Sequence, residues 1–214
     1  MVLEWGVLWQ YEAQILEGLK ITLQVSALSI AFSTVLGLII GSLRVTPQFF
    51  VTKLLDLYVE IMRNIPAVVK LFLIHFVVGL DAFLAGVIAL SLHQSAYIAD
   101  VVSAGLRSLP KGQLEAALAA GLTYYHAFTR VLLPQALRIT IPPMTTQFVQ
   151  VVKNSSIVML ISLQDLTFIT NQIEHETFRG MEASVVVTVL YLMIALVIIF
   201  SMNIVQTTAN RRFK

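Results

Sequence analysis

The sequence predicts an all-α membrane protein with five transmembrane helices, on three observations. Hydrophobic residues make up 57% of the chain and charged residues only 12%, with a mean hydropathy of +0.84, whereas a soluble domain has about a quarter of its residues charged. Five apolar stretches, at residues 19–43, 54–80, 82–106, 135–160 and 183–205, are each long enough for a hydrocarbon core that needs about 20 helical residues. Between them the charges separate by sign, as they do in loops kept on opposite sides of a membrane. One transmembrane domain over 1–214 is expected.

Composition also removes functions. A net charge of +2 is too small to argue for a nucleic-acid partner, and the medium is membrane lipid. With no cysteine there is no disulfide framework, thiolate nucleophile or Cys metal site.

At the N-terminus Glu4, Glu12 and Glu17 precede the first basic residue, Lys20. A signal peptide needs a positive leading region, so the first hydrophobic segment is expected to stay as a transmembrane helix. Trp5, Trp9 and Tyr11 suit the outer headgroup layer.

The first span carries Gly37 and Gly41 in a GxxxG arrangement, which lets two helices approach closely, within the fold or between subunits. The second opens on YVEIMRNIP. There Glu60 and Arg63 are spaced to pair on one helical face, and Pro66 is expected to kink the helix, its freed carbonyl satisfied by neighbours. Two readings stand for Lys70: it snorkels to the cytoplasmic interface, or it lines a path.

The third span places His93 and Gln94 near its middle, where polar side chains face a cavity or a bundle interior. His93 is either a hydrogen-bonded packing residue or a substrate contact. In the fourth, Pro142-Pro143 is expected to interrupt the helix, followed by Thr146, Gln147, Gln150, Lys153, Asn154, Ser155 and Ser156. Broken helices with polar groups at membrane depth are tolerated where they face protein or a water-filled path, which is where transporters hold substrate. Lys153 lies about 27 Å along this span at about 1.5 Å per residue, in its outer half; snorkelling to the outer interface is its other reading.

Beyond it, DLTFITNQIEHETFRGME reads as an outer amphipathic helix. Glu174-His175-Glu176 lacks the second His at i+4 that a zinc helix needs, so the segment is read as solvated surface and docking ground for an external protein. The fifth span is uniformly apolar and ends in Asn210-Arg211-Arg212-Phe213-Lys214, a cytoplasmic stop signal.

Orientation follows from charge. Arg44, Lys53, Arg63, Arg107, Lys111, Arg130 and Arg138 fall on the side of that basic tail; Asp81, Asp165, Glu176 and Glu182 fall with the acidic N-terminus. Short cytoplasmic loops collect Lys and Arg, so the N-terminus is out and the C-terminus in. The segment 108–133 is then cytoplasmic. Its alanines at 116, 117, 119 and 120 favour a helix with little side-chain bulk. Gly121 permits a turn or a close contact, and a new helix is expected near Pro134. A short helix across the membrane surface, offering a docking ridge, fits all three.

That segment, EAALAAGLTYYHAFTRVLLP, resembles the EAA signature of ABC importer permeases: Glu115-Ala116-Ala117, three residues, Gly121, nine residues, then aliphatic-x-Leu133-Pro134. The remainder, through LEGLKITLQVS, MRNIP and SAYIADVVSAGLRSLPKGQLEAA, is similar to the histidine/glutamine/glutamate permease family of polar amino acid importers. Ser95, Asp100 and Lys70 depart from the family's Ala, Glu and Gln. PPMTTQFVQVVKNSSI looks like the glutamate/aspartate branch, with Asn154 where many relatives carry Asp. Losing that negative charge favours glutamate or aspartate over arginine.

The resemblance implies a type I importer fold in the bacterial inner membrane, with the Glu115 helix as cytoplasmic coupling helix. It also implies a second permease, as homodimer or heterodimer, two ATPase subunits carrying ATP and Mg, and an extracytoplasmic amino acid-binding protein. The same class serving glutamine or a basic amino acid is the alternative. The residues agree that the ATPase lies elsewhere, since no lysine is followed by Ser or Thr as a P-loop requires. No cofactor, metal or catalytic residue is therefore expected in this chain. An ion-coupled transporter would show an internal repeat and more spans, and an intramembrane enzyme would need a motif such as H-E-x-x-H or G-x-S-x-G, which is absent.

Overall fold

The computed structural model describes residues 4–211; Arg212, Phe213 and Lys214 of the expected stop signal lie outside the described residues. After a 3₁₀ segment Trp5–Tyr11 come α1 (Glu12–Leu43), α2 (Phe49–Asn64), α3 (Ala67–Phe72), α4 (Ala82–Arg107), α5 (Lys111–Ala119), α6 (Tyr124–Ala127), α7 (Leu133–Ser155), α8 (Leu166–Thr177) and α9 (Gly180–Arg211). Three stretches, Trp5–Leu43, Ala82–Arg107 and Gly180–Ala209, are long and apolar enough to cross a membrane on those grounds alone.

The other two expected spans correct the sequence reading. Residues 54–80 are not one kinked helix. The chain leaves helical geometry at Ile65 and Pro66, with ψ of 126° and 144°. It restarts as α3 and widens into a π turn over Leu73–Val77. The residue before a proline is pushed out of the α region, and here that preference breaks the helix outright. The fourth span, conversely, is unbroken: α7 runs through Pro142 and Pro143. Proline's fixed φ is compatible with a helix, and the lost hydrogen bonds are tolerated where packing re-satisfies the backbone. The irregular turns fall at its two ends instead, a π turn over Phe128–Leu132 and a 3₁₀ turn over Ser156–Ile161.

The helix α4 is the centre of the bundle. It lies parallel to α1, and the GxxxG pair is the reason they touch. A Cβ on Gly37 would stand 2.5 Å from Ile98 Cγ2, and one on Gly41 2.7 Å from the Ala99 carbonyl oxygen. The motif therefore serves packing within the fold. Across α4, Ile98, Val102 and Leu106 pack with Ala136 and Met144 of α7, while Val25, Val87, Leu90 and Val158 join α1, α4 and the end of the fourth segment. The outer helix α9 leaves Leu192, Leu196, Val197 and Phe200 exposed, as a helix solvated by lipid does.

Charges gather at the two ends. At the basic end Arg44 donates to Asp56 at 2.7 Å and to Asp100 at 2.5 Å, and Arg63 pairs with the other oxygen of Asp100. The expected Glu60–Arg63 pair is thus replaced by an interhelical one, because Asp100 offers Arg63 a partner that also holds α1. At the opposite end Arg179 bonds Glu4 at 2.6 Å, Tyr11 donates to Glu176 at 2.7 Å, and Asp81 caps α4. Asp165, fully buried, caps α8 through the Phe168 N–H at 2.9 Å, and burial pushes its carboxyl above the usual range. The polarity of the bundle is that of an N-terminus-out chain.

Candidate functional site

Helical spacing assembles the site. His93, Gln94 and Tyr97 of α4 and Thr146, Gln147, Gln150 and Asn154 of α7 line one cavity of about 270 Å³. Residues three and four apart share a helical face, so each helix presents a polar stripe to the other. Gln94, 2% exposed, donates to Gln147 Oε1 at 2.6 Å, and Gln150 donates to Asn154 Oδ1 at 3.2 Å. The His93 ring meets Tyr97 edge-on at 5.2 Å, and its buried Nδ1 has no hydrogen-bond partner among the described residues. Among the described residues, no Asp, Glu, Lys or Arg lines the cavity. Amides both donate and accept, so the walls suit a polar, uncharged group.

Six expected path residues, His93, Gln94, Thr146, Gln147, Gln150 and Asn154, thus come together. Four others do not. Ser155 and Ser156 bond back to the Val152 and Lys153 carbonyls at 2.8 Å, where the helix tightens into its 3₁₀ turn. Lys153 is exposed on the flank of α7, outside the cavity.

Lys70 neither snorkels nor lines this cavity. It is 5% exposed, and its ammonium donates at 2.7 Å to both the Met62 and Ile65 carbonyls, which the Pro66 break leaves free. Replacing it by Met leaves both buried carbonyls unpaired, at about 1–3 kcal/mol each. Lys70→Met should therefore lower the melting temperature of the purified protein, with Lys70→Gln, which keeps a donor, falling between; equal melting temperatures would show that the ammonium contributes nothing to closing the break.

Tyr97 and Asp100 are residues to which the sequence assigned no role, Asp100 being noted there only as a departure from the family's Glu. Tyr97 was legible from its i+4 relation to His93. Asp100, a carboxylate inside a span, needed a partner, and both its partners lie more than 30 residues away in sequence. Towards the basic end Tyr97 also borders a second cavity of about 450 Å³, with Arg44, Asp56, Arg63 and Asp100.

The EAA segment is a separate surface. Helix α5 buries Ala117 and exposes Glu115, Ala116, Leu118 and Ala119. It ends in a Schellman motif: Leu122 N–H to Ala117 C=O at 3.2 Å and Gly121 N–H to Leu118 C=O at 3.0 Å, with Gly121 at φ +85° as the left-handed residue that motif requires. Among the described residues, nothing beyond its chain neighbours lies within 4 Å of a Cβ built on Gly121, so the glycine serves the turn. Leu133 and Pro134 begin α7 as expected, and Gln135 donates to Gln113 at 3.3 Å, tying α5 to it.

A helical bundle with segregated end charges, a polar cavity between two of its helices and an exposed small-residue helix has the build of a membrane permease subunit. Residues 33–214 match the model of the binding-protein-dependent transport system inner membrane component family, and the chain belongs to it. It is 32% identical over 213 residues to a protein named as a probable glutamine ABC transporter permease, GlnM of Bacillus subtilis, covering 97% of this chain and 99% of that one. It is 31% identical over 228 residues to the glutamate/aspartate import permease GltJ of Escherichia coli, covering 94% and 93%. The crystal structure of an amino acid ABC transporter with histidines superposes at a TM-score of 0.87 with 28% identity, covering 97% of this chain and 100% of that one. The fold is that of type I ABC importer permeases, and the chain is an amino acid permease subunit of that kind.

Proposed function

We propose that this chain forms the path for a neutral polar amino acid, glutamine, in an ATP-driven importer of the bacterial inner membrane, crossing it several times. The carrying observation is the cavity between α4 and α7, whose lining of amides, Thr146, Tyr97 and His93 includes no acidic or strongly basic side chain among the described residues. A buried site built to hydrogen-bond a substrate group rejects analogues that leave its polar groups unpaired, and a carboxamide matches amide walls without desolvating a net side-chain charge.

A second reading, glutamate or aspartate, is favoured by Asn154, which removes a carboxylate from the wall, with Lys153 next to it in sequence. It requires Lys153 to turn into the cavity from its exposed flank. In both readings Glu115, Ala116, Ala117 and Gly121, with Leu133 and Pro134 behind them, meet an ATPase subunit, two copies of which carry ATP and Mg. A second permease, identical or not, completes the path, and a binding protein delivers the amino acid from outside.

The test is ATP-dependent uptake into proteoliposomes holding the complex and its binding protein, comparing labelled glutamine, glutamate and arginine. Glutamine uptake that survives Lys153→Ala and falls at least tenfold in Gln147→Leu is the expected result. Glutamate uptake lost with Lys153→Ala would transfer the conclusion to the second reading.

A further inference from the structure

The cavity between α4 and α7 and the larger one at the basic end share one lining residue, Tyr97. His93, Tyr97 and Asp100 follow one another down α4 over about 10 Å of helix axis, at about 1.5 Å per residue. The first lines the membrane cavity, the last lines the cytoplasmic vestibule, and the ring between them borders both. That ring is held from two sides. On the cavity side it meets His93 edge-on at 5.2 Å; on the vestibule side the Arg63 guanidinium lies over it, 5.2 Å from its centroid. Arg63 is itself anchored to Asp100, which also holds Arg44, the residue that caps the C-terminal end of α1. A cation stacked on an aromatic face and fixed by a carboxylate restricts the ring to one orientation.

We infer that Tyr97 is the inner gate of the path, the side chain that separates the substrate cavity from the cytoplasmic vestibule and must swing aside for an amino acid to pass. The Arg63–Asp100 pair is its latch. Helices α1, α2 and α4 meet at that latch, so a tilt of α4 against α2 separates Arg63 from the ring and frees it. The vestibule beyond is lined by Arg44, Arg63, Asp56, Glu60 and Asp100, the arginines and aspartates being paired with one another. The inference deepens the function proposed above and rests on the cavity being the substrate site.

The chain contains no cysteine, so a single one reports access without background from this subunit. In the nucleotide-free complex in inside-out vesicles, Gln147→Cys is expected to react with a membrane-impermeant methanethiosulfonate reagent at least tenfold more slowly than Asn64→Cys at the vestibule. Adding Tyr97→Ala should remove that difference, and Tyr97→Phe, which keeps the ring, should preserve it. Equal reaction rates at the two cysteines with Tyr97 in place overturn the gate without any Tyr97 variant, and so does a Tyr97→Ala protein in which Gln147→Cys stays protected. Whether the cavity is the substrate site is read separately, from the uptake assay above: glutamine uptake left unchanged by Gln147→Leu would overturn the substrate reading and leave the gate standing.

Discussion

Gly41→Leu is expected to abolish the folded protein, not only its transport. The added Cβ would lie 2.7 Å from the Ala99 carbonyl oxygen and 2.7 Å from Val102 Cβ. These obstacles are backbone and a β-branched side chain, neither of which swings away. Helices α1 and α4 would have to separate, and close approach is what holds transmembrane helices together where lipid removes the hydrophobic drive. Overpacking costs about 1–3 kcal/mol where neighbours can shift, and at a helix seam with no room to shift the effect should exceed that range. The measurement is the yield of monodisperse protein in detergent together with its melting temperature. Gly6→Leu is the control, since no atom lies within 4 Å of a Cβ there. A Gly41→Leu protein as abundant and as stable as Gly6→Leu would show that the α1–α4 seam is looser than its geometry.

Gly121→Val should give the opposite phenotype, a stable membrane protein with ATP-dependent uptake reduced more than tenfold. Gly121 sits at φ +85°, where a left-handed backbone costs an L-residue about 1–2 kcal/mol and a β-branched one more. The cost is local. It falls on an exposed turn with open space around the missing Cβ, so the bundle stays folded while the Schellman turn that aims α5 is lost. Gly121→Asn tolerates the left-handed region and should retain most of the uptake. Uptake and membrane abundance measured on the same vesicles separate the two effects. Normal uptake by Gly121→Val would mean that the turn does not present a coupling surface.

The two glycines show how differently sequence motifs become legible. GxxxG is a local spacing that states its own geometry, a bare strip on a helix, and only the identity of the strip's partner was open. Glu115 through Pro134 likewise carried its helix, its turn and the start of α7 in adjacent residues. The polar residues of α4 and α7 were readable because they interrupt apolar spans, and six of them converge on one cavity because side chains three and four apart share a face.

Proline defeated the reading twice, in opposite directions. Pro66 broke a helix that was expected to bend, because Lys70 and its neighbours could satisfy the freed carbonyls at the break. Pro142-Pro143 left intact a helix that was expected to break. Both outcomes depend on whether nearby groups replace the missing hydrogen bonds, and those groups belong to the packed bundle. Lysines were ambiguous for the same reason. A long cationic side chain reaches interface, cavity or backbone with similar ease, so Lys70 and Lys153 found their places only through what surrounds them.

Alone, the sequence determined the class of the protein, three of its apolar spans, their polarity across the membrane and the surface helix that ends at Gly121, because each depends on composition or on residues within a turn or two of one another. Tertiary structure alone decided that Arg63 pairs with Asp100, that Lys70 closes the α2–α3 break, and that Tyr97 borders two cavities at once. Those relations join residues from different helices, and their distances are set by packing around α4 instead of by spacing along the chain.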